Sequence, residues 1–532
     1  MVGKSTAGKA SGAKAPSVVL VGLGPHARRI YVHYFQANGL RPSVVVELES
    51  QRAACEARLK EWGFTDTVLV TVPDDARDAD TLPPATVAAL DRALAQQHVT
   101  HALLSTEPKA HYAYLTYFLA RDIHTLTDKP ITAPRHVGTD PTATPRIQSD
   151  FDTLMRLYRL AQLNGTRLDV QCQRRFHPAY LRLRQLVGDL VGTYGVPVTY
   201  LDVYHCDGMW NMPNELLTRE NHPYKYGYGK LYHSGYHFID LMAWLMQPER
   251  WPHHAQPTSA EVYTAPVRPL DHMRMINAHA YERLLGAGGR RLAPYFTKAQ
   301  RPTFAHFGEL DLHGVIQFRH HDDTVCTATL NLMNTGFSRR SWAALPADTY
   351  KGNGRVRHER LNLSIGPLAN IQVHSYQARE IKEREIGHAS VGDVEHFDIY
   401  IFRNVDLIGG QPVEKITVHD VMGDHSAQGS FIGYNEQARE TCLLNFLFGG
   451  PRLSDLADHA FTTQLLAGLY ASMSARHTGA DPRQELVFER GVVSGRGFVD
   501  AVERLGEGFG KLPARPGQQP ALRAQNAVPL GE

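Results

Sequence analysis

Between Ser17 and Thr127 the chain alternates short apolar runs with stretches of helical period. The runs SVVLVG, SVVVEL, TVLVTV, THALLST and IHTLT are short and mostly rich in β-branched residues, as strands are. Between them, HARRIYVHYFQA, QRAACEARLKEW, PATVAALDRALAQQ and AHYAYLTYFLAR carry apolar residues near helical spacing. Near-continuous apolar strands separated by helices predict a parallel sheet covered on both faces, a doubly wound α/β domain. A further helix, SDFDTLMRLYRLAQLNG, is expected to open at Ser149 or Asp150 as cap and to close at Gly165. It leads to a strand, RLDVQCQRRF, and the domain is placed at residues 17–175.

After residue 175 the texture changes. VPVTYLDVYH, AEVYTAPV, HGVIQFRH, TVCTATLNLM and NIQVHSYQ alternate or are β-branched, with few helices between them. They predict a second α/β domain over residues 176–510, built on a largely antiparallel open sheet, with a late helix in SDLADHAFTTQLLAGLYASMSARH. Residues 270–305 and 340–365 are rich in Arg, Pro and Gly without clear period and read as loops or insertions. The leader, residues 1–16, and the tail, 511–532, have no core pattern and are expected to be disordered. No internal repeat is evident.

Composition narrows the class of partner. Lys and Arg total 56 against 54 Asp and Glu in 532 residues, so no single-sign field points to nucleic acid or an anionic membrane. No run of about 18 apolar residues occurs, and the leader lacks the apolar core of a secretory signal. The expectation is a soluble, cytoplasmic protein that handles a small molecule. Five scattered cysteines without a C-x-x-C pair read as reduced, mostly buried thiols. The leader's GKST lacks the upstream glycine and strand of a phosphate loop.

VVLVGLGPHARRI places Gly22, Gly24 and Ala27 as G-x-G-x-x-A between a strand and a helix. In that context the first glycine permits a tight turn, the second admits a pyrophosphate and the small third residue allows close helix packing. The helix N-terminus adds unpaired N–H groups for the phosphates. Glu47, 20 residues beyond Ala27 at the end of the second strand, is suited to both ribose hydroxyls. Its charge favours NAD over NADP, with Arg52 nearby the one feature on the NADP side.

The segment LLSTEPKAHYAYLTYFLARDIHTLTDKPIT resembles the Gfo/Idh/MocA family, that is, glucose-fructose oxidoreductase, inositol dehydrogenase and relatives. Asp128, Lys129 and Pro130 stand where that family usually has Glu-Lys-Pro, whose lysine sits beside the nicotinamide and the substrate hydroxyl. QCQRRFHPAYLRLRQLV is similar to its Arg-rich strand end and proline-started helix, and GYGKLYHSGYHFIDLMAWLM to its substrate-site helix. The resemblance runs from Ser17 to about Leu245 and more loosely over the later strands. It implies cofactor contacts by Thr106, His111, Lys129 and Pro130, and an open sheet used for contacts between copies in a homo-oligomer. It also implies a substrate site drawn from Arg174, Arg175, Tyr204, Tyr236 and Asp240.

His233, His237 and Asp240 lie at spacings of four and three, which in a helix turns all three the same way. The family pattern has Asp, His and Asp at these positions, so His233 replaces the acidic partner of the catalytic histidine. His237 is the expected proton acceptor, Lys129 the stabiliser of oxyanion charge and His233 a proton relay. For Asp240 an orienting role is expected. Two histidines and a carboxylate on one face can also hold a metal, but the metalloprotease Glu is missing and the cofactor motif already accounts for the histidine, so no metal is assigned. Arg174 and Arg175 either meet a substrate anion or pair with local carboxylates. The aromatic, polar stretch from Tyr204 to Tyr228 suits a polyhydroxylated ligand.

The expected activity is NAD-dependent oxidation or reduction at a secondary hydroxyl of a sugar, inositol or sugar derivative. Two alternatives stay open: an NAD-binding regulatory protein without turnover, and a redox-neutral NAD-dependent epimerase or glycosidase.

Overall fold

The structure is a computed structural model that describes residues 16–247, 256–334 apart from 322 and 324, 336, 338–339, 357–377, 395–422 and 433–488. The expected disordered tail lies outside the described residues, as does the leader up to residue 15.

Six strands form the first sheet: β1 (Val18–Val21), β2 (Val44–Leu48), β3 (Val68–Val72), β4 (His101–Leu104), β5 (His124–Thr127) and β6 (Leu168–Val170). Their order is β3-β2-β1-β4-β5-β6 and every pairing is parallel. β1 is buried at all four positions, as a strand with helices over both faces must be. The order reverses between β1 and β4, so a crevice opens at their C-terminal ends. The helix Arg146–Gln162 starts earlier than the expected cap, because Pro145 already sets the first turn; Asp150 is inside it, 3.8 Å from Arg146.

The second sheet is mixed and largely antiparallel. In chain order the strands of this part are β7 (Tyr200–Cys206), β8 (Met209–Trp210), β9 (Pro257–Val267), β10 (Asp311–His320), β11 (Val325–Met333), β12 (Ser338–Arg339), β13 (Arg357–Ile365), β14 (Ala369–Gln377), β15 (Glu395–Arg403), β16 (Val413–Thr417) and β17 (Gln484–Val487). Nine of them run β16-β15-β14-β13-β7-β11-β10-β9-β17, while β8 and β12 make a separate ribbon. β7 is central, parallel to β11 and antiparallel to β13. Alternation puts Leu312, Ile316 and Phe318 of β10 inside and His313, Val315 and Arg319 on the open face.

Two expectations for this part are corrected. Residues 270–305 are not a plain loop: they hold the helices Pro269–Met275 and Ala278–Leu285 and shorter turns, with Asn277 capping the second helix. Residues 357–365, read as part of a loop, are the strand β13 beside the central β7; its alternating Leu361, Leu363 and Ile365 were obscured by the Arg- and Gly-rich residues before them. Residues 340–356 lie outside the described residues.

The late helix, expected from its sequence, is Ala460–Thr478, and it ties the two sheets together. Ser474 Oγ lies 3.1 Å from Thr144 Oγ1 on the first-domain side, and Thr264 N on β9 donates to Ser472 Oγ at 2.8 Å. Beside it the helix Tyr236–Met246 is buried along its whole length. Asp240 on that helix accepts from Arg175 Nη2 at 2.7 Å, Arg175 Nε at 3.0 Å and Thr462 Oγ1 at 3.0 Å, with His459 Nδ1 at 3.1 Å. Burial pushes the Asp240 carboxyl up, but Arg175 and His459 outweigh it and hold it well below the usual carboxylate range. All five cysteines are free and buried, as expected. Among the described residues no helix is long and apolar enough to cross a membrane.

Removing one partner of this buried pair strands the other charge. Asp240→Ala is therefore expected to lower unfolding free energy by about 3–5 kcal/mol. Arg175→Met with Asp240→Leu should cost less than Asp240→Ala alone; urea denaturation of the three proteins checks both statements.

Candidate active site at the crevice between the sheets

β1 ends in the turn Gly22–Gly24. Gly22 has φ +88, and a Cβ there would lie 2.7 Å from Ser105 O, so the turn and the β4 loop close on each other only because no side chain intervenes. Gly24 is open, with nothing within 4 Å of a built Cβ. Ala27 is fully buried and does not line the cavity, which fits its expected packing role. Glu47 Oε2 accepts from Leu23 N at 2.7 Å and Oε1 from Leu48 N at 2.9 Å, so the carboxylate is fixed over the turn. Arg52 is instead paired with Glu49, at 2.8 Å, and does not line the crevice.

The ends of β4 and β5 supply Thr106, Asp128 and Lys129 to the same cavity. Asp128 accepts from Tyr31 OH at 2.6 Å and Ser105 Oγ at 2.8 Å, and burial raises its carboxyl pKa. Lys129 Nζ donates to His233 O. Burial first, then the Arg439 guanidinium, lowers the lysine from its ordinary value to about 8. His111 and Pro130, expected at the cofactor, do not line the cavity. The His111 ring is buried, 3.1 Å from Pro130 O and 3.3 Å from Thr106 O, and burial lowers it to about 4. It is a neutral strut that holds the β4 and β5 loops together.

The histidine stripe is divided. A π-type turn, Leu231–Gly235, runs into the helix Tyr236–Met246, and His233 and His237 both face the cavity. Asp240 does not: three residues of helix turn only about 300°, which swings it about 60° away, toward Arg175. Tyr236 also points away, with its OH 3.2 Å from His459 Nδ1. Neither these residues nor Arg175 line the cavity, so their expected substrate contacts are replaced by core contacts. Tyr204 is on the open face of β7, beside His358 and Arg360, because strand alternation turns His205 inward instead.

His237 is buried 4.0 Å from Cys172 Sγ. Burial, then Lys129, Arg174, Arg439 and Arg357, hold it well below its ordinary pKa. His233 is lowered as well, by burial and then Arg219 and Lys129. Its Nε2 lies 3.2 Å from Pro223 O, and its Nδ1 has no hydrogen-bond partner among the described residues. Both imidazoles are neutral near pH 7. Cys172, Asp240 and His459 bring ligand atoms within 4.8 Å of one another, but Arg175 already neutralises that carboxylate and would repel a metal ion.

One cavity of about 560 Å³ joins the Gly22–Gly24 turn and Glu47 to Lys129, His233 and His237. Arg174 borders it while bonded to Glu359 Oε1 at 2.5 Å and stacked 4.1 Å over Phe238, so of its two expected roles local pairing is filled. Arg219, Glu220, Asn221, His222 and Tyr224 also line the cavity, backed by the inserted helices through a cluster of Leu216, Tyr224, Met273, Phe304 and Phe307. Glu107, Asp207, Arg357 and Arg439 also reach the cavity and were not singled out by sequence. Asp207, just past the end of β7, carried a usable signal, since strand ends face the crevice. Arg439, on the helix Tyr434–Phe448, carried none.

No family model matches the sequence, and no curated protein does. Solved structures do match. An oxidoreductase from Agrobacterium radiobacter, in complex with NAD+, L-tartaric acid and magnesium, aligns with TM-score 0.50 and 13% identity over 89% of this chain and 98% of that one. An oxidoreductase domain protein from Kribbella flavida aligns with TM-score 0.52 and 14% identity over 90% of this chain and all of its own. The chain shares its overall fold with these two oxidoreductases.

Proposed function

We propose that this chain is an NAD-dependent oxidoreductase of the Gfo/Idh/MocA type, acting on a secondary hydroxyl of a sugar, inositol or sugar derivative. The observation that carries the proposal is the single cavity running from Gly22, Gly24 and Glu47 to Lys129 and His237. The residues fit the cofactor: Gly24 leaves room for a pyrophosphate against the backbone, and Glu47 is held where it can accept ribose hydroxyls. NAD+ in the structure from Agrobacterium radiobacter supports the same choice. The nicotinamide, when bound, exchanges a hydride with the substrate carbon.

The chain's own residues handle the proton. A lysine lowered to about 8 is partly neutral near physiological pH, so Lys129 can accept the hydroxyl proton in oxidation and return it in reduction. Its ammonium form then stabilises negative charge on the substrate oxygen. His237, neutral and surrounded by cations, is a weak base; its role is to orient the hydroxyl by a hydrogen bond.

The same proposal puts the protein in the cytoplasm as a homo-oligomer. Five unpaired thiols suit a reducing compartment. Val315 and Phe402, on the open side of β10 and β15, are apolar surface available to a second copy.

Incubation with NAD+ and a panel of polyols should form NADH, read at 340 nm, on at least one of them. Lys129→Ala should lower that rate by about 100-fold or more, and His237→Ala should lower it as well; equal turnover in both variants would refute the assignments. Tight NAD binding with no NADH on any polyol would favour the regulatory alternative, and product without net NADH the redox-neutral one. Because the neutral amine is the acceptor, the oxidation rate should rise with pH through a midpoint of about 8. Gly24→Ala should keep the melting temperature but weaken NAD binding about tenfold, a loss of about 1.4 kcal/mol. Gly22→Ala, forced into positive φ against Ser105 O, should instead lower stability in a thermal melt.

A further inference from the structure

Position 233, where the family resemblance puts an acid, is a histidine, yet a carboxylate reaches the cavity beside it from another element. Asp207 follows β7 directly and lines the cavity with His233 and His237. Ser234 of the His233 turn and Lys230, the residue that caps it, hold Asp207. Lys230 Nζ donates to Asp207 Oδ2 at 2.5 Å, and Ser234 Oγ donates to the same oxygen at 3.0 Å. Lys230 is fully buried and does not itself line the cavity. Its ammonium also lies 3.1 Å from His205 Nδ1. Both bonds from the helix side fall on Oδ2, while Oδ1 lies 3.7 Å from His205 Nε2.

We propose that Asp207 supplies the acidic group of the reaction site, delivered from the end of β7 in place of the helix position 233, and that it accepts a hydroxyl of the polyol and turns it toward Lys129. The inference rests on the polyol reading given above. A carboxylate whose only task was to neutralise Lys230 would have no need to face the cavity, since Lys230 itself is enclosed. Anchoring by a lysine and a serine through one oxygen fixes the direction of the carboxylate, as a preorganised hydrogen-bond acceptor requires. Asp207 also acts on the charge of both Lys129 and His233, which places the three groups within electrostatic reach of one another.

The test separates this role from plain charge pairing. An ion pair that is only structural can be exchanged for apolar or neutral groups of similar size without loss of function. Asp207→Asn with Lys230→Met removes both charges together. Full-length protein loaded with NADH would be titrated by calorimetry with myo-inositol, D-glucose and D-gluconate. The parent is expected to bind at least one of them. The double variant should melt within a few degrees of the parent and bind NADH equally well, while its polyol affinity falls by about 30-fold or more, equivalent to about 2 kcal/mol. Asp207→Glu keeps the charge beside Lys230 but moves the carboxylate by one methylene, and it should lose polyol affinity to a similar degree. It serves as the deciding variant if the double variant does not fold. Polyol affinity within about threefold of the parent in the folded variant overturns the proposal, and so does a parent that binds none of the three. A parent that binds a polyol but forms no NADH defeats the oxidoreductase reading alone, and Asp207 is still judged by affinity.

Discussion

The buried pair of Arg175 and Asp240 sets the position of everything at the reaction site. It clamps the helix Tyr236–Met246 to the residues that leave β6 and, through Thr462 and His459, to the late helix that spans both sheets. With Asp240 held there, His233 and His237 have one direction left to face, and it is the crevice where Lys129 emerges from β5. A misplaced rotation of this helix would withdraw both imidazoles at once. The ion pair is therefore a positioning device, and its cost of burial is offset by four polar contacts to a single carboxylate.

Charge in the cavity follows from that packing. Burial acts first on His237, and Lys129, Arg174, Arg439 and Arg357 gather around it and add to the effect. Under those conditions an imidazole stays neutral, and the lysine becomes the group able to exchange a proton near neutral pH. The proposed division of labour gives the proton to Lys129, where the sequence reading gave it to His237. The family resemblance implied that the two groups share one site; it could not reveal how deeply His237 would be buried or how many cations would converge there.

The first sheet was legible because its signals are local. β-branched runs, a glycine turn and a carboxylate at the end of β2 each act within a few residues, and all survive in the structure. Of the two readings of Asp240, only the implied substrate contact failed, for a geometric reason: a rotation of about 60° that helical spacing by itself treats as alignment turns it to Arg175, which suits the orienting role. Tyr204 failed because one step along a strand exchanges faces, and only the pairing of β7 with β11 and β13 shows which face is inward. The helices in residues 269–285 were hidden because their stability comes from packing against Leu216, Tyr224 and Trp210, far from them in sequence. Arg439 and Arg357 reach the cavity from residues hundreds of positions beyond the glycine turn, with no pattern near them to say so.

The central claim is that a nicotinamide ring sits between an ammonium group from β5 and an imidazole from the helix. A crystal structure of the protein with NAD+ bound tests it most directly. The account predicts the adenine-side ribose on Glu47, the pyrophosphate over Gly24 and the nicotinamide in contact with Lys129 and facing His237. A nucleotide bound outside the crevice, or bound with its nicotinamide away from Lys129, would contradict it.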